Sequence, residues 1–262
     1  MNNLNPASEL QKYDTTINVI GSIKDCDPIF KTIESYFDVE SASDNEFDLR
    51  TEKSRTRIER GVEVAFLQFR NQDHQDLIQS IFASDLTLQT KEVILFWQFA
   101  LTNRLFRDIS VRIFSKEYSS GKTFISKDVL IGYLKEFVGQ NEELKAKWSE
   151  TTTTTLATKY LTFLTKINFV EGVRKKAFKR ILMSSELLVL FLYILKINEP
   201  ENSDVLSNEI FPLVFIDKSD IQERLKKLSL KDYFNMDFNG VELNIELTHS
   251  YKGICDVLSA RT

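Results

Sequence analysis

The chain is poor in the residues that most catalytic and metal sites require. Its 262 residues include only two cysteines and two histidines, and each pair is widely separated. Cys26 and Cys255 form no CxxC motif, and neither His74 nor His249 belongs to an HExxH or Cys-His pattern. We therefore expect no disulfide, no metal site and no cofactor, with both cysteines as ordinary thiols in a reducing compartment.

Glycine and proline are also scarce, with eight and four residues respectively. Because these two residue types interrupt helices and form turns, their scarcity predicts a mainly α protein with few long loops. The hydrophobic fraction of 42% is sufficient for a buried core.

Neither a secretory signal nor a membrane-spanning segment is predicted. Residues 1–12 lack a basic segment followed by an apolar one. The most apolar run, residues 187–197, is much shorter than the roughly 20 residues that a membrane span needs. We expect it to be a buried helix of a soluble, cytoplasmic protein.

Two features that could indicate an enzyme do not form a recognisable catalytic site in the sequence. Ser120-Gly121-Lys122-Thr123 ends like a phosphate-binding loop, but Lys116 stands where that motif needs its first glycine. The carboxylates are scattered over predicted solvent faces, without a pair placed for acid–base work. We expect no catalytic residues and no enzymatic activity, while an uncharacterised hydrolase or nuclease built on distant carboxylates stays open as an alternative.

Hydrophobic spacing predicts an N-terminal helical bundle over residues 13–139. Apolar residues recur at intervals of three and four after Asp27-Pro28, the expected N-cap and first residue of a helix, and again over residues 58–69. A helix over residues 88–103 is apolar on more than one side, which predicts a central core helix. Ser126 is expected to cap the last helix of the bundle.

Residues 140–198 predict a winged helix-turn-helix-like middle domain. A short polar helix over residues 141–147 is interrupted at Ser149, and a second helix is predicted over residues 151–167. A short extended segment ending at Gly172 and a basic loop follow. Helix, tight turn, helix, strand and basic loop is the order of a winged helix-turn-helix unit.

Residues 199–262 predict a small C-terminal α+β extension. A helix is expected over residues 218–228. Residues 233–238 and 241–247 are expected to pair as a β-hairpin across Asn239-Gly240, because both positions of such a two-residue turn need positive φ.

A local basic face is present although the net charge is −4. Nine basic residues between positions 145 and 180 are accompanied by only two acidic ones, Glu150 and Glu171. The start of the second helix adds hydroxyls and free backbone amides, which favour a phosphate. An ordinary solvated surface is the alternative. The predicted DNA-binding residues of this region are Lys147, Ser149, Thr151, Thr152, Thr153, Lys159, Arg174, Lys175, Lys176, Lys179 and Arg180.

A second basic stretch covers residues 50–60. Three of its residues are predicted to extend the same DNA-binding footprint: Arg55, Arg57 and Arg60. The alternative is again a solvated helix surface, because Glu52, Glu59 and Glu63 have the spacing to pair with these cations.

Three stretches of the sequence carry a family resemblance: residues 51–58 (TEKSRTRI), the aromatic helix around Trp97 with residues 104–114 after it, and residues 147–152 leading to Phe169-Val170-Glu171-Gly172. In these stretches the chain resembles the BrxA family of BREX bacteriophage-exclusion systems, over about residues 13–197. The resemblance implies a bacterial, cytoplasmic, helical protein without known catalysis that binds duplex DNA. It also implies a methyltransferase, an ATPase and a phosphatase-like protein as partners.

Charge and resemblance together predict a non-enzymatic component of a phage-defence system that binds double-stranded DNA. The alternative is a protein–protein adaptor of the same complex, in which the basic faces only keep the protein soluble and the C-terminal hairpin docks a partner.

Overall fold

The computed structural model describes residues 12–39, 52–202 and 204–260. It is mainly α-helical, as the scarcity of glycine and proline predicted. The chain divides into two compact units, the first from Met1–Gln68 and Gln98–Arg180 and the second from Phe69–Trp97 and Ile181–Thr262. The predicted domains 13–139, 140–198 and 199–262 are a different partition, which stays a prediction. Arg50 and Thr51 of the basic stretch lie outside the described residues.

The helices of the described residues are, in chain order, α1 Thr16–Ile20, α2 Asp27–Tyr36, α3 Glu52–Phe66, α4 Gln72–Ala83, α5 Leu88–Thr102, α6 Arg104–Ile109, α7 Ser115–Ser119, α8 Lys127–Gly139, α9 Glu142–Lys147, α10 Glu150–Lys166, α11 Ser185–Asn198, α12 Lys218–Ser229 and α13 Ile254–Ala260. A π-helical turn, Ser110–Phe114, joins α6 to α7. Two 3-10 turns, Val205–Ser207 and Phe211–Val214, precede α12. The strands are β1 Phe124–Ile125, β2 Val170–Glu171, β3 Lys176–Phe178, β4 Phe234–Phe238 and β5 Leu243–Leu247.

Two predicted helix starts have different outcomes. Ser126 caps α8 as predicted, because its Oγ accepts the Asp128 N–H at 3.1 Å. In α2, however, Asp27 is the first helical residue and Cys26 occupies the N-cap position. The predicted cap was wrong by one residue, because Asp25 Oδ1 accepts the Asp27 N–H at 3.2 Å and supplies the side-chain oxygen from further upstream.

The first unit contains a small antiparallel sheet in the order β1-β3-β2. Phe124 in β1 is opposite Ala177 in β3, and Val170 in β2 is opposite Phe178 in β3. Sequence patterning predicted an extended segment at β2 but not the two-residue strand β1.

The C-terminal hairpin of β4 and β5 is confirmed, but its turn is wider than predicted. Phe238 pairs with Leu243, so four residues connect the strands. Only Gly240 of the two expected turn residues has positive φ, at 95°. Asn239 instead accepts the N–H groups of Val241 and Glu242 on its side-chain oxygen, at 3.0 and 2.8 Å, which stabilises the longer loop.

Packed aromatic rings fill the core of the first unit. The Phe99 ring stacks on that of Phe106 with centroids 4.3 Å apart, and Phe163 of α10 lies 5.6 Å from each. Gln98 Nε2 donates to the Phe66 carbonyl at 2.8 Å, which joins α5 to the end of α3. This core fixes the inner face of α10, and so determines which side of α10 is exposed.

The second unit is built around α11, in which every residue from 187 to 195 is buried. Its Phe191 ring lies 4.7 Å from that of Trp97, whose Nε1 donates to the Leu213 carbonyl at 3.0 Å. The apolar run 187–197 is therefore a buried helix, as predicted. No helix in the described part of the chain is long and apolar enough to cross a membrane.

Candidate nucleic-acid interface

The turn between α9 and α10 is fixed by two capping side chains. Asn141 Oδ1 accepts the Leu144 N–H at the start of α9, at 3.2 Å. Ser149 Oγ accepts the Thr152 N–H at the start of α10, also at 3.2 Å, and lies 3.1 Å from the Thr152 hydroxyl. Asparagine and serine are favoured there because their oxygens satisfy N–H groups that the first helical turn leaves free. Part of the hydrogen-bonding capacity of Ser149 and Thr152 is therefore used within the helix.

The predicted contact residues in the first turn of α10 differ in exposure. Thr151 is exposed and Thr152 is half-buried, whereas only 2% of Thr153 is exposed. The Thr153 hydroxyl donates to the Glu150 carbonyl at 2.8 Å. A buried hydroxyl cannot reach a ligand at the surface, so Thr153 contributes to the core. The remaining hydroxyls lie at the positive end of the helix dipole, where a phosphate is favoured.

The outer side of α10 carries threonines at intervals of four residues. The hydroxyls of Thr158 and Thr162 donate to the carbonyls of Thr154 and Thr158, at 2.9 and 2.8 Å. The hydroxyl protons of these side chains are therefore already donated to backbone carbonyls. This side of α10 therefore offers few polar groups of the kind that read base edges.

The two lysines in the second half of α10 have different roles. Lys166 Nζ donates to the carbonyls of Ile20 and Gly21 at the end of α1, at 3.3 and 3.0 Å. Burial lowers the pKa of Lys166 to about 8. Lys159 is half-buried beside Gly21, with no ion pair among the described residues. Lys159, rather than Lys166, is thus available to an anion.

The loop between β2 and β3, residues 172–175, is held tightly. Gly172 has φ of +94°, and a Cβ there would lie 2.3 Å from the Lys175 carbonyl oxygen, so the loop requires glycine. Lys176 Nζ donates to the Gly172 carbonyl at 2.6 Å and to Thr165 Oγ1 at 2.9 Å. Burial lowers the pKa of Lys176. Lys176, one of the predicted DNA contacts, ties the loop to the end of α10 through these hydrogen bonds.

Aromatic packing against Phe114 and Tyr118 also holds this hairpin in place. The Phe178 ring of β3 lies 5.6 Å from Phe114 and 5.5 Å from Tyr118, and Phe169 stacks near Phe114 at 6.2 Å. The hairpin therefore presents its outer residues from a fixed position.

Three cations on or beside this hairpin are exposed: Arg174, Lys175 and Arg180. We call them the β2–β3 cations. None forms an ion pair within residues 12–39, 52–202 and 204–260. Lys175 Nζ lies 5.6 Å from the centroid of the half-exposed Phe124 ring. Lys179, next to them, donates to Asn168 Oδ1 at 3.3 Å.

The lysines of α9 contrast with the β2–β3 cations because they are neutralised locally. Lys145 and Lys147 lie 3.5 and 2.5 Å from Glu142 and Glu143, one turn earlier. The charge count over residues 145–180 does not include Glu142 and Glu143, so it overstates the free positive charge of α9.

The three predicted residues of the second basic stretch all lie on α3 but in two different environments. Arg55 Nε lies 2.8 Å from Glu59, as the spacing predicted. Arg57 and Arg60 are exposed, have no ion pair in the described chain, and line a groove between α1 and α3. Both α3 and α10 pack on α1. Sequence reasoning missed this groove because Thr16 and Val19, on its other wall, are more than thirty residues away in the chain.

The family comparison gives a match. A model of the family described as BrxA matches residues 35–192, which is more than half of the chain. The matched range includes α3, α9, α10 and the β2–β3 hairpin. No curated protein and no solved structure matches. Among the described residues, no group of three His, Cys, Asp or Glu side chains is placed to hold a metal ion.

Proposed function

The chain belongs to the BrxA family, and from this premise we propose that it is a non-enzymatic component of a BREX phage-defence system that binds duplex DNA. The binding surface is the start of α10 together with the β2–β3 hairpin. The observation that carries the proposal is the set of β2–β3 cations, which are exposed, unpaired among the described residues and held on a hairpin anchored to α10.

The order of elements supports this choice of surface. After α7 the chain forms β1, α8, α9, α10, β2, a basic loop and β3 in that order. The sheet order is β1-β3-β2. We assign this arrangement to a winged helix-turn-helix in which α10 is the recognition helix and residues 172–175 form the wing. In that motif the second helix enters the major groove. A wing beside it reaches the adjacent backbone.

The chemistry of the surface favours phosphate over base contacts. Its cations are Lys159, Lys179 and the β2–β3 cations, and Ser149, Thr151 and Thr152 add hydroxyls at the start of α10. The outer side of α10 is rich in threonine and lacks the Arg, Asn and Gln side chains that pair with base edges. Phosphate contacts position a protein on DNA without specifying sequence. We therefore expect binding without strong sequence preference.

The proposed surface is tested by reversing its charge. A triple variant with Arg174→Glu, Lys175→Glu and Arg180→Glu should lose most of its affinity for a labelled 30-base-pair duplex in a fluorescence-anisotropy titration. Lys176 is kept, because it holds the loop. The matched control reverses three exposed lysines of the second unit: Lys226, Lys227 and Lys252.

Each result of this comparison has a definite meaning. A large loss in the β2–β3 variant and a small one in the control supports the assigned surface. Equal losses would mean that only net charge matters, and the surface assignment would be abandoned. If the wild-type protein does not bind duplex DNA at all, the adaptor function within the same defence complex replaces this proposal. Circular dichroism of each variant checks that it is folded.

A further inference from the structure

The groove between α1 and α3 has the size and lining of a small-ligand site. Its volume is about 550 Å³, within the range of roughly 300–1,000 Å³ that ligand pockets occupy. Both of its walls belong to the first unit. The described residues that line it are Thr16, Val19, Glu52, Lys53, Thr56, Arg57, Arg60, Gly61 and Val64.

One part of the groove is strongly basic. Lys53, Arg57 and Arg60 follow one another at intervals of four and three residues, so they form a stripe along one face of α3. All three are exposed, and none has an ion pair among the described residues. Among the described residues of the lining, Glu52 is the one acidic side chain. Arg55 lies outside the lining and is already paired with Glu59.

The other part of the groove is apolar and closely packed. A Cβ on Gly61 would lie 2.5 Å from the Val19 side chain, so glycine allows α1 and α3 to approach each other here. Val64, the next turn along α3, is 46% exposed although it is apolar. A ligand that suits both parts has an anionic group at one end and an apolar body at the other.

We propose that this groove binds a nucleoside phosphate. The phosphates contact Lys53, Arg57 and Arg60, and the base lies against Val19 and Val64. Two arginines suit this role, because a guanidinium donates two hydrogen bonds to a phosphate in a fixed geometry. The apolar end distinguishes a nucleoside phosphate from a bare polyphosphate. This inference is independent of duplex binding at the β2–β3 hairpin, so either can fail alone.

The test uses ATP carrying a fluorescent ribose label as the probe, displaced by unlabelled ATP, AMP, adenosine or inorganic tripolyphosphate. We expect ATP to compete at least about tenfold better than tripolyphosphate or adenosine, since the groove holds both ends of the molecule. The double variant R57S/R60S should weaken probe binding at least about tenfold, as expected for the loss of charge-assisted hydrogen bonds. R55S, on the same helix but outside the groove, should bind the probe as the wild type does.

Four results would overturn the proposal. These are no probe binding at millimolar concentration, equal competition by tripolyphosphate and ATP, equal losses in R55S and R57S/R60S, and displacement of the probe by a 30-base-pair duplex but not by ATP. The last would assign the groove to the DNA-binding surface. A further variant, V64E, places a negative charge at the exposed apolar end, and it should abolish probe binding while circular dichroism remains that of the wild type.

Discussion

At the scale of single residues, two glycines test the packing of α1 on α10. Gly21 has no space for a side chain, whereas Gly132 does. A Cβ on Gly21 would lie 2.4 Å from the Lys159 carbonyl oxygen, which is backbone and cannot turn aside. A Cβ on Gly132, inside α8, meets no described atom within 4 Å. There is therefore no space for a side chain at position 21, whereas position 132 has space for one.

We therefore expect Gly21→Ala to lower the free energy of unfolding by about 1–3 kcal/mol, the usual effect of overpacking. Gly132→Ala should raise it by about 0.4–1 kcal/mol, because alanine loses less backbone entropy in a helix. Urea denaturation of both variants measures the two effects. A Gly21→Ala protein as stable as the wild type would contradict the close approach of α1 to α10.

Lys166 should make stability depend on pH in the alkaline range. Its pKa is about 8 in the folded protein, because burial disfavours the charged form, against 10.5 for an ordinary lysine. Between these two values the unfolded chain binds more protons than the folded one, so the free energy of unfolding rises with pH. The titratable groups that interact with Lys166 are Asp25, Cys26 and Lys159.

The contribution of Lys166 is isolated by subtracting the stability of a Lys166→Met variant at each pH. This difference should increase in favour of the wild type from about pH 8 to pH 10.5. Subtraction is needed because Tyr13 and Tyr133 have pKa values raised to about 12, mainly by burial, and act in the opposite direction. A difference that stays level or falls over this range would contradict the buried position of Lys166.

At the scale of elements, α11 is the most extensively buried helix that lies wholly within the second unit. Leu190 is completely buried, whereas Leu182, just before the helix, is 52% exposed. Leu190→Ala should lower the free energy of unfolding by about 2–5 kcal/mol through lost burial and the cavity that remains. Leu182→Ala should change it by less than about 0.5 kcal/mol. Thermal or urea denaturation distinguishes the two, and similar values would contradict the placement of α11 in a core.

The helices were largely predictable from the sequence, whereas the two-residue strand β1 and the turn of the C-terminal hairpin were not. The apolar residues of α5 and α11 and the cap Ser126 are local signals, and the structure confirms them. Strand β1 has only two residues and exists through pairing with β3, fifty residues later. Such pairing leaves almost no periodicity to detect. The wide turn at Asn239 was missed because a side-chain hydrogen bond replaced the expected backbone conformation.

The candidate site was predictable as a region but not residue by residue. Composition pointed to the basic segment, but it could not separate exposed Arg174 from Lys176, which ties the loop to α10, or from Lys147, which is paired with Glu143. Burial of Thr153 also depends on which side of α10 meets the core. These distinctions arise from packing between elements that are distant in the sequence.

At the scale of the whole molecule, the proposed function requires a basic surface on a chain whose net charge is −4. Five cations compose that surface: Lys159, Lys179 and the three β2–β3 cations. Because the remainder of the chain is acidic on balance, binding should depend on these local contacts rather than on bulk attraction. Such binding releases counterions from DNA in proportion to the number of phosphates contacted.

The most direct test of the account is the salt dependence of duplex binding by the purified protein. With about five phosphate contacts, a plot of log affinity against log salt concentration should have a slope of about −4 to −5, at about −0.9 per contact. Reversing the three β2–β3 cations should reduce the steepness of that slope by about 3. A flat salt response, or no binding to duplex DNA at low salt, would contradict the proposed function.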